Sequence, residues 1–135
     1  MRPDAERGNE DKGAIPMQIP LSDIAHGRSG DKGNHANVAV LAYTPSGYAW
    51  LCEHLTAEVV QDFFGPLGPW RVVRYEVPNL LGLNFVLYDV LAGGASRSLR
   101  VDTQGKTLAL ALLQMKVDVP ADHAAMLRSV PDAEP

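Results

Sequence analysis

The sequence predicts an α+β fold, a sandwich in which two main helices cover one face of a mostly antiparallel sheet of about five strands. Three observations point there. Short runs rich in Val, Tyr and Phe recur along the chain, as strands require. Two longer segments repeat their apolar residues at helical spacing and stop at glycine. Near the C-terminus, strict alternation passes through a glycine turn and returns, which reads as a hairpin. A chain of 135 residues suffices for one domain with a real core.

The elements follow in order. Residues 1–16 mix charges with Gly and Pro, show no apolar period, and read as a disordered leader. The folded domain is expected over 17–118. MQIPLSDIAH (17–26) reads as a first strand, which Pro20 places at an edge or bulge. ANVAVLAY (36–43) is a nearly continuous apolar run, read as a strand covered on both faces. In TPSGYAWLCEHLTAEVVQDFFGPLG (44–68), Trp50, Leu51, His54, Leu55, Val59 and Phe63 follow helical spacing until Gly65-Pro66, with His54 read as partly buried packing. Thr56 can cap a second helix, so two short helices breaking near His54-Leu55 are the alternative.

WRVVRYEV reads as a strand over 71–77, ended by Pro78. NLLGLNFVLYDVLAGG (79–94) reads as a helix capped by Asn79, on the spacing of Leu80, Leu83, Val86, Leu87 and Val90. SRSLRVDTQGKTLALALLQMKVDV (96–119) reads as the hairpin, turning at 102–106 and returning as a long strand over 107–117. A short helix at 121–129 and an acidic Pro-containing end make 119–135 a loosely ordered tail.

Composition excludes several classes. The net charge of −4, with cations scattered, argues against a nucleic-acid partner. No apolar stretch approaches the roughly 18–20 residues of a membrane span. The start of the chain lacks the apolar run of a secretory signal, and Cys52 is the single cysteine, so a cytoplasmic location is expected. His26, His35, His54 and His123 form no HxH or HExxH pattern, so neither a metal site nor another cofactor is expected. Cys52 lies mid-helix, where a packing role outweighs a nucleophilic one.

The densest polar segment is GRSGDKGN (27–34), between two apolar runs. It is read as a loop. Glycine every third residue lets backbone N–H groups line an anion-binding nest, and Arg28 and Lys32 add charge-assisted bonds to a carboxylate or phosphate. Ser29 can donate or accept, and Asp31 can pair with a cation or act as a base. The plainer alternative is a hairpin turn with solvated charges. A P-loop and a dinucleotide fingerprint are both excluded, because a strand follows instead of a helix. GGASRSLR (93–100) offers Arg97 and Arg100 as a second anion contact, against the plainer reading of a helix stop entering an edge strand. Asp31 and Glu76 are the carboxylates most easily paired, although no spacing demands it.

Three segments, RSGDKGNHANVAV, VVRYEVPNLLGLNFVL and LAGGASRSLRVDTQGKTLA, in that order, resemble the small domain of the AtuA-like family, named for acyclic terpene utilisation. The resemblance covers residues 19–117 and leaves out both ends. It implies a ferredoxin-like topology, without an iron–sulfur cluster, which one cysteine cannot hold. It also implies a chain that exists apart from its large domain and associates with an AtuA-like large subunit, in the metabolism of branched acids or acyl-CoA thioesters. The matched motif positions are Arg28, Ser29, Gly30, Asp31, Lys32, Gly33, Asn34 and Asn37; His35 occupies a slot that varies in the family.

The function expected from all this is an accessory small subunit. It docks on the large subunit and contributes the Gly-rich segment to a site for a small anionic ligand, a carboxylate or an acyl-CoA. Two alternatives stand beside it. One is an independent hydratase or hydrolase on a carboxylate or CoA thioester, with Asp31 and Lys32 as the catalytic candidates. The other is a self-associating structural protein that forms a homo-oligomer.

Overall fold

The computed structural model describes residues 17–69, 71–89 and 108–128. The expected leader, the GGASRSLR segment with Arg97 and Arg100, and the turn of the C-terminal hairpin lie outside the described residues. So does the end of the chain.

The fold is α+β, with antiparallel sheets. In chain order the elements are β1 (Met17–Pro20), β2 (Ala25–Lys32), β3 (His35–Ala42), α1 (Pro45–His54), α2 (Ala57–Phe63), β4 (Arg71–Val77), β5 (Gly82–Tyr88), α3 (Leu108–Leu113) and β6 (Lys116–Val119). The strands form two sheets. One has four strands in the order β2-β3-β5-β4, every neighbouring pair antiparallel. The other pairs β1 with β6, Ile19 opposite Val117.

Alternation divides the four-stranded sheet into two unlike faces. On one face Ala25 and Gly27 of β2 lie beside Val40 and Val38 of β3, then Leu83, Phe85 and Leu87 of β5, then Val72 of β4. Val38, Val40, Phe85 and Leu87 are wholly buried there. The three helices among the described residues pack on this face. Leu51 of α1, Val60 of α2 and Leu112 of α3 complete the core. The other face carries His26, Arg28 and Gly30 of β2, Asn37 and Ala39 of β3, Asn84 and Val86 of β5, and Val73 and Tyr75 of β4. No helix of the described residues lies on it.

The two short helices are the form that the 44–68 segment takes. Thr44 Oγ1 accepts from the N–H of Gly47 at 3.0 Å, and Thr56 Oγ1 accepts from that of Val59 at 3.1 Å. Each threonine thus caps its own helix. The strand expected over 71–77 is β4 itself.

Several expectations are corrected. The first expected strand is broken: β1 ends at Pro20, a 3-10 turn holds Leu21–Asp23, and a new strand starts at Ala25. The 36–43 run is buried on one face and half-buried on the other, alternating residue by residue, instead of covered on both. The helix expected from residue 79 is a 3-10 turn, Pro78–Leu80, followed by β5. Leu83, Phe85 and Leu87 satisfy a period of two as well as Leu80, Leu83 and Leu87 satisfy a helical one, and pairing on both sides decides for the strand. The long strand expected over 107–117 is α3 plus the short β6. LALALL consists of strong helix formers and buries Leu108, Ala109, Leu112 and Leu113 along one stripe. The helix expected at 121–129 is one 3-10 turn, His123–Met126, with Met126 buried.

Candidate functional site

The polar segment is a strand, not a loop. Residues 25–32 form β2, paired throughout with β3, and the connection is two residues long: Lys32 stands opposite His35, with Gly33 and Asn34 between them. Gly33 has φ +63° at the first turn position, the pattern of a type II′ hairpin. The expected nest therefore does not form along 27–32, since in an extended strand successive N–H groups point to opposite edges instead of converging. Two glycines serve that pairing. A Cβ on Gly27 would stand 2.5 Å from the carbonyl oxygen of Ala39, and one on Gly30 would stand 3.2 Å from Asn37 Oδ1.

As β2 is a strand, the motif residues divide between its faces. Arg28 and Gly30 lie on the open face, and Asn37 lies there beside Gly30. Ser29 and Asp31 lie on the helix-covered face. Ser29 Oγ accepts the backbone N–H of Ala109 at 3.2 Å, which fastens α3 to the strand. Lys32 holds the register position opposite His35, and its side chain lies outside the described ones. Arg28 and Asp31 are both exposed, on opposite faces. Asp31 and Glu76 share the helix-covered face but sit at opposite ends of it, on the two outermost strands. Glu76 instead pairs with Arg74 at 3.2 Å.

The open face holds more polar and aromatic side chains than the motif alone suggests. At its centre Asn37 Nδ2 donates to Asn84 Oδ1 at 3.3 Å. Along one end, His35 meets the Tyr88 ring edge-on at 4.9 Å, and Arg71 lies over the same ring at 5.8 Å. The backbone N–H of Asp89 donates to His35 Nδ1 at 3.0 Å, so the imidazole proton sits on Nε2. At the other end His26 stacks on Tyr43 at 5.2 Å, and Arg128 from the C-terminal segment lies over Tyr43 at 5.5 Å. Tyr75 is 49% exposed. Sequence reasoning missed His26, Tyr43, Arg71, Tyr75 and Arg128 as members of this surface. The available signal was a period of two running from His26 through Arg28 and Gly30.

Behind the sheet, Arg74 reaches the end of α1. Its Nη1 donates to the carbonyl oxygens of Cys52 at 2.9 Å and Leu55 at 3.1 Å, groups that a helix end leaves without intrahelical donors. Hydrogen bonding to the Cys52 side chain, then burial, pushes the Tyr48 hydroxyl up to about 12. His54 stacks on Trp50 at 4.5 Å with its Nδ1 3.0 Å from the Trp50 carbonyl oxygen, and the residue as a whole is exposed. Among the described residues no three His, Cys, Asp or Glu side chains gather as metal ligands would, and no cavity is enclosed. No helix among them is long and apolar enough to cross a membrane.

Compared with protein families, residues 19–118 match the AtuA ferredoxin-like domain. No curated protein and no solved structure matches the chain.

Proposed function

The chain belongs to the AtuA ferredoxin-like domain family, and on that premise we propose that it is an accessory small subunit of an AtuA-like assembly. In this reading it docks on a separate large chain and lends Arg28, Gly30 and Asn37 to a shared site for a carboxylate or an acyl-CoA. It works in the cytoplasm, on the acyl-CoA side of branched-acid metabolism. The observation that carries the reading is the placement of Arg28, Gly30 and Asn37 together on the sheet face opposite the helices, with Arg28 exposed. One sheet face contacts a small ligand on one side only, whereas a binding site buries most of its ligand. A second surface laid over β2 and β3 supplies the missing side. Arg28 then provides the charge-assisted bond and Asn37 the neutral hydrogen bonds.

The test is co-expression with the AtuA-like large chain of the same genome, followed by light scattering and calorimetry. The expected result is a complex of both chains that binds a branched acyl-CoA more tightly than either chain alone, with Arg28→Ala weakening that binding. A large chain that binds acyl-CoA equally well without this subunit contradicts the ligand role. Failure of the two chains to associate contradicts the subunit role.

A further inference from the structure

We propose that His35 and Asp89 form a pH-sensitive switch at the end of β5: protonation moves the His35 imidazole from the backbone N–H of Asp89 to the carboxylate of the same residue. The inference is independent of the accessory-subunit reading.

Both partners are within reach of one nitrogen. His35 Nδ1 lies 3.0 Å from the backbone nitrogen of Asp89 and 3.8 Å from its Oδ1. The shorter contact requires a neutral ring, because Nδ1 must offer its lone pair to the N–H. In that form Nδ1 has no proton to give the carboxylate, which stands beyond hydrogen-bond length. A proton taken from solvent binds at the same nitrogen. Nδ1–H and the Asp89 N–H are then two donors face to face, and their bond is lost. The imidazolium instead donates to Oδ1, which a movement of about 1 Å brings to the length of a charge-assisted bond.

The backbone of Asp89 gives this exchange a conformational consequence. Asp89 has φ +62°, in the left-handed region, where residues other than glycine are held by their surroundings. It follows Tyr88, the last residue of β5, so it sets the direction in which the chain leaves the sheet. The bond to His35 fixes its N–H there. Protonation of the ring frees that N–H to leave the left-handed conformation and anchors the carboxylate in its place.

The imidazole is placed to respond. The side chains of His35 and Asp89 are 42% and 39% exposed, so solvent protons reach both. Besides Asp89, the groups that face the ring are Lys32, opposite in register on β2, Tyr88 of β5, edge-on at 4.9 Å, and Arg71 of β4, which lies over the Tyr88 ring. Side chains of these types ordinarily keep one charge state between about pH 5 and 8, whereas an imidazole changes its own there.

The experiment is nitrogen-15 NMR of the full chain at about pH 8 and about pH 5, for wild type and His35→Phe. Phenylalanine keeps a ring beside Tyr88 and removes the acceptor. Circular dichroism checks that the variant is folded. At the higher pH the ring signals of wild-type His35 are expected to show an unprotonated Nδ1, with the Asp89 amide protected from solvent exchange. At the lower pH that protection, corrected for the intrinsic pH dependence of exchange, is expected to fall about tenfold, the worth of one such bond. The amides of Phe85 and Leu87, inside the ladders of β5, are expected to keep theirs. In His35→Phe the Asp89 amide is expected to be unprotected at both pH values. A proton on Nδ1 at the higher pH overturns the inference, as does wild-type Asp89 protection that is equal at both pH values. Protection that still depends on pH in His35→Phe assigns the change to another group and overturns it. A fall shared by Phe85 and Leu87 is a general loosening of β5 and overturns it too.

Discussion

Ser29 Oγ accepts the N–H of Ala109 at 3.2 Å, across 80 residues of chain. The bond ties the middle of β2 to the first turn of α3, where backbone donors lack intrahelical partners. Through this bond the serine of the Gly-rich motif helps to hold a helix down, while its neighbour Arg28 lies on the opposite face. Ser29→Ala is expected to cost about 1 kcal/mol in urea denaturation, the usual worth of such a cap. Affinity for the large chain is expected to stay unchanged. A loss of affinity without a loss of stability would give the serine a different role.

Gly27 is required by packing, not by backbone conformation. A Cβ there would come within 2.5 Å of the Ala39 carbonyl oxygen, and backbone cannot yield as a side chain does. Gly27→Ala is expected to destabilise by about 1–3 kcal/mol. Gly65→Ala is the control, since a Cβ there meets nothing within 4 Å. Thermal denaturation of the two variants checks the contrast.

Arg74 couples β4 to the end of α1 through two carbonyl oxygens. Arg74→Met keeps much of the stem and removes both donors. It is expected to lose about 1–3 kcal/mol, because bonds from a charged donor to half-buried acceptors are the stronger kind. Glu76 is its other partner, but that carboxylate is 55% exposed, so Glu76→Gln is expected to change stability by less than about 1 kcal/mol. Chemical denaturation of both variants separates the helix-end role from the ion pair.

Tyr48 gives the fold an alkaline limit. Its folded value of about 12 exceeds the ordinary 10.0, so between these values the unfolded chain releases a proton that the folded chain keeps. The contribution is fully present below pH 10 and is lost as pH rises toward 12. In an ultraviolet titration of the four tyrosines, Tyr48 is expected to ionise later than the ordinary value. Cys52→Ala is expected to bring it down, since hydrogen bonding to Cys52 is the leading cause.

The segments that sequence reasoning placed well carry one unambiguous period. RVVRYEV became β4 because Val72, Val73, Tyr75 and Val77 fit a strand and Pro78 ends it. Thr56 signalled the second helix because a cap is a local bond, and Thr44 caps the first in the same way. Where two periods fit, local information ran out. LNFVL was taken into a helix and LALALL into a strand, and each was decided by the neighbour it packs against. GRSGDKGN was hardest, because glycine and charge are depleted in strands. The ladder with β3 and the tight approach at Gly27 override that preference. Reading it as a loop kept Arg28 and Asp31 together; the strand sends them to opposite faces, and brings His26 and Asn37 to the side of Arg28. The chemistry of the motif residues was legible in the sequence, whereas the face that each of them takes required the fold.

The most direct test of the account is methyl-resolved NMR of this chain during titration with the AtuA-like large chain. Val73, Val86, Leu41 and Ala39 report on the open face, and Leu110 and Val59 report on exposed positions of the helices behind it. The account predicts shifts or broadening at the first four, with Leu110 and Val59 unmoved. Perturbation at Leu110 and Val59 with the open-face methyls unchanged would contradict it, and would place the partner on the helical side.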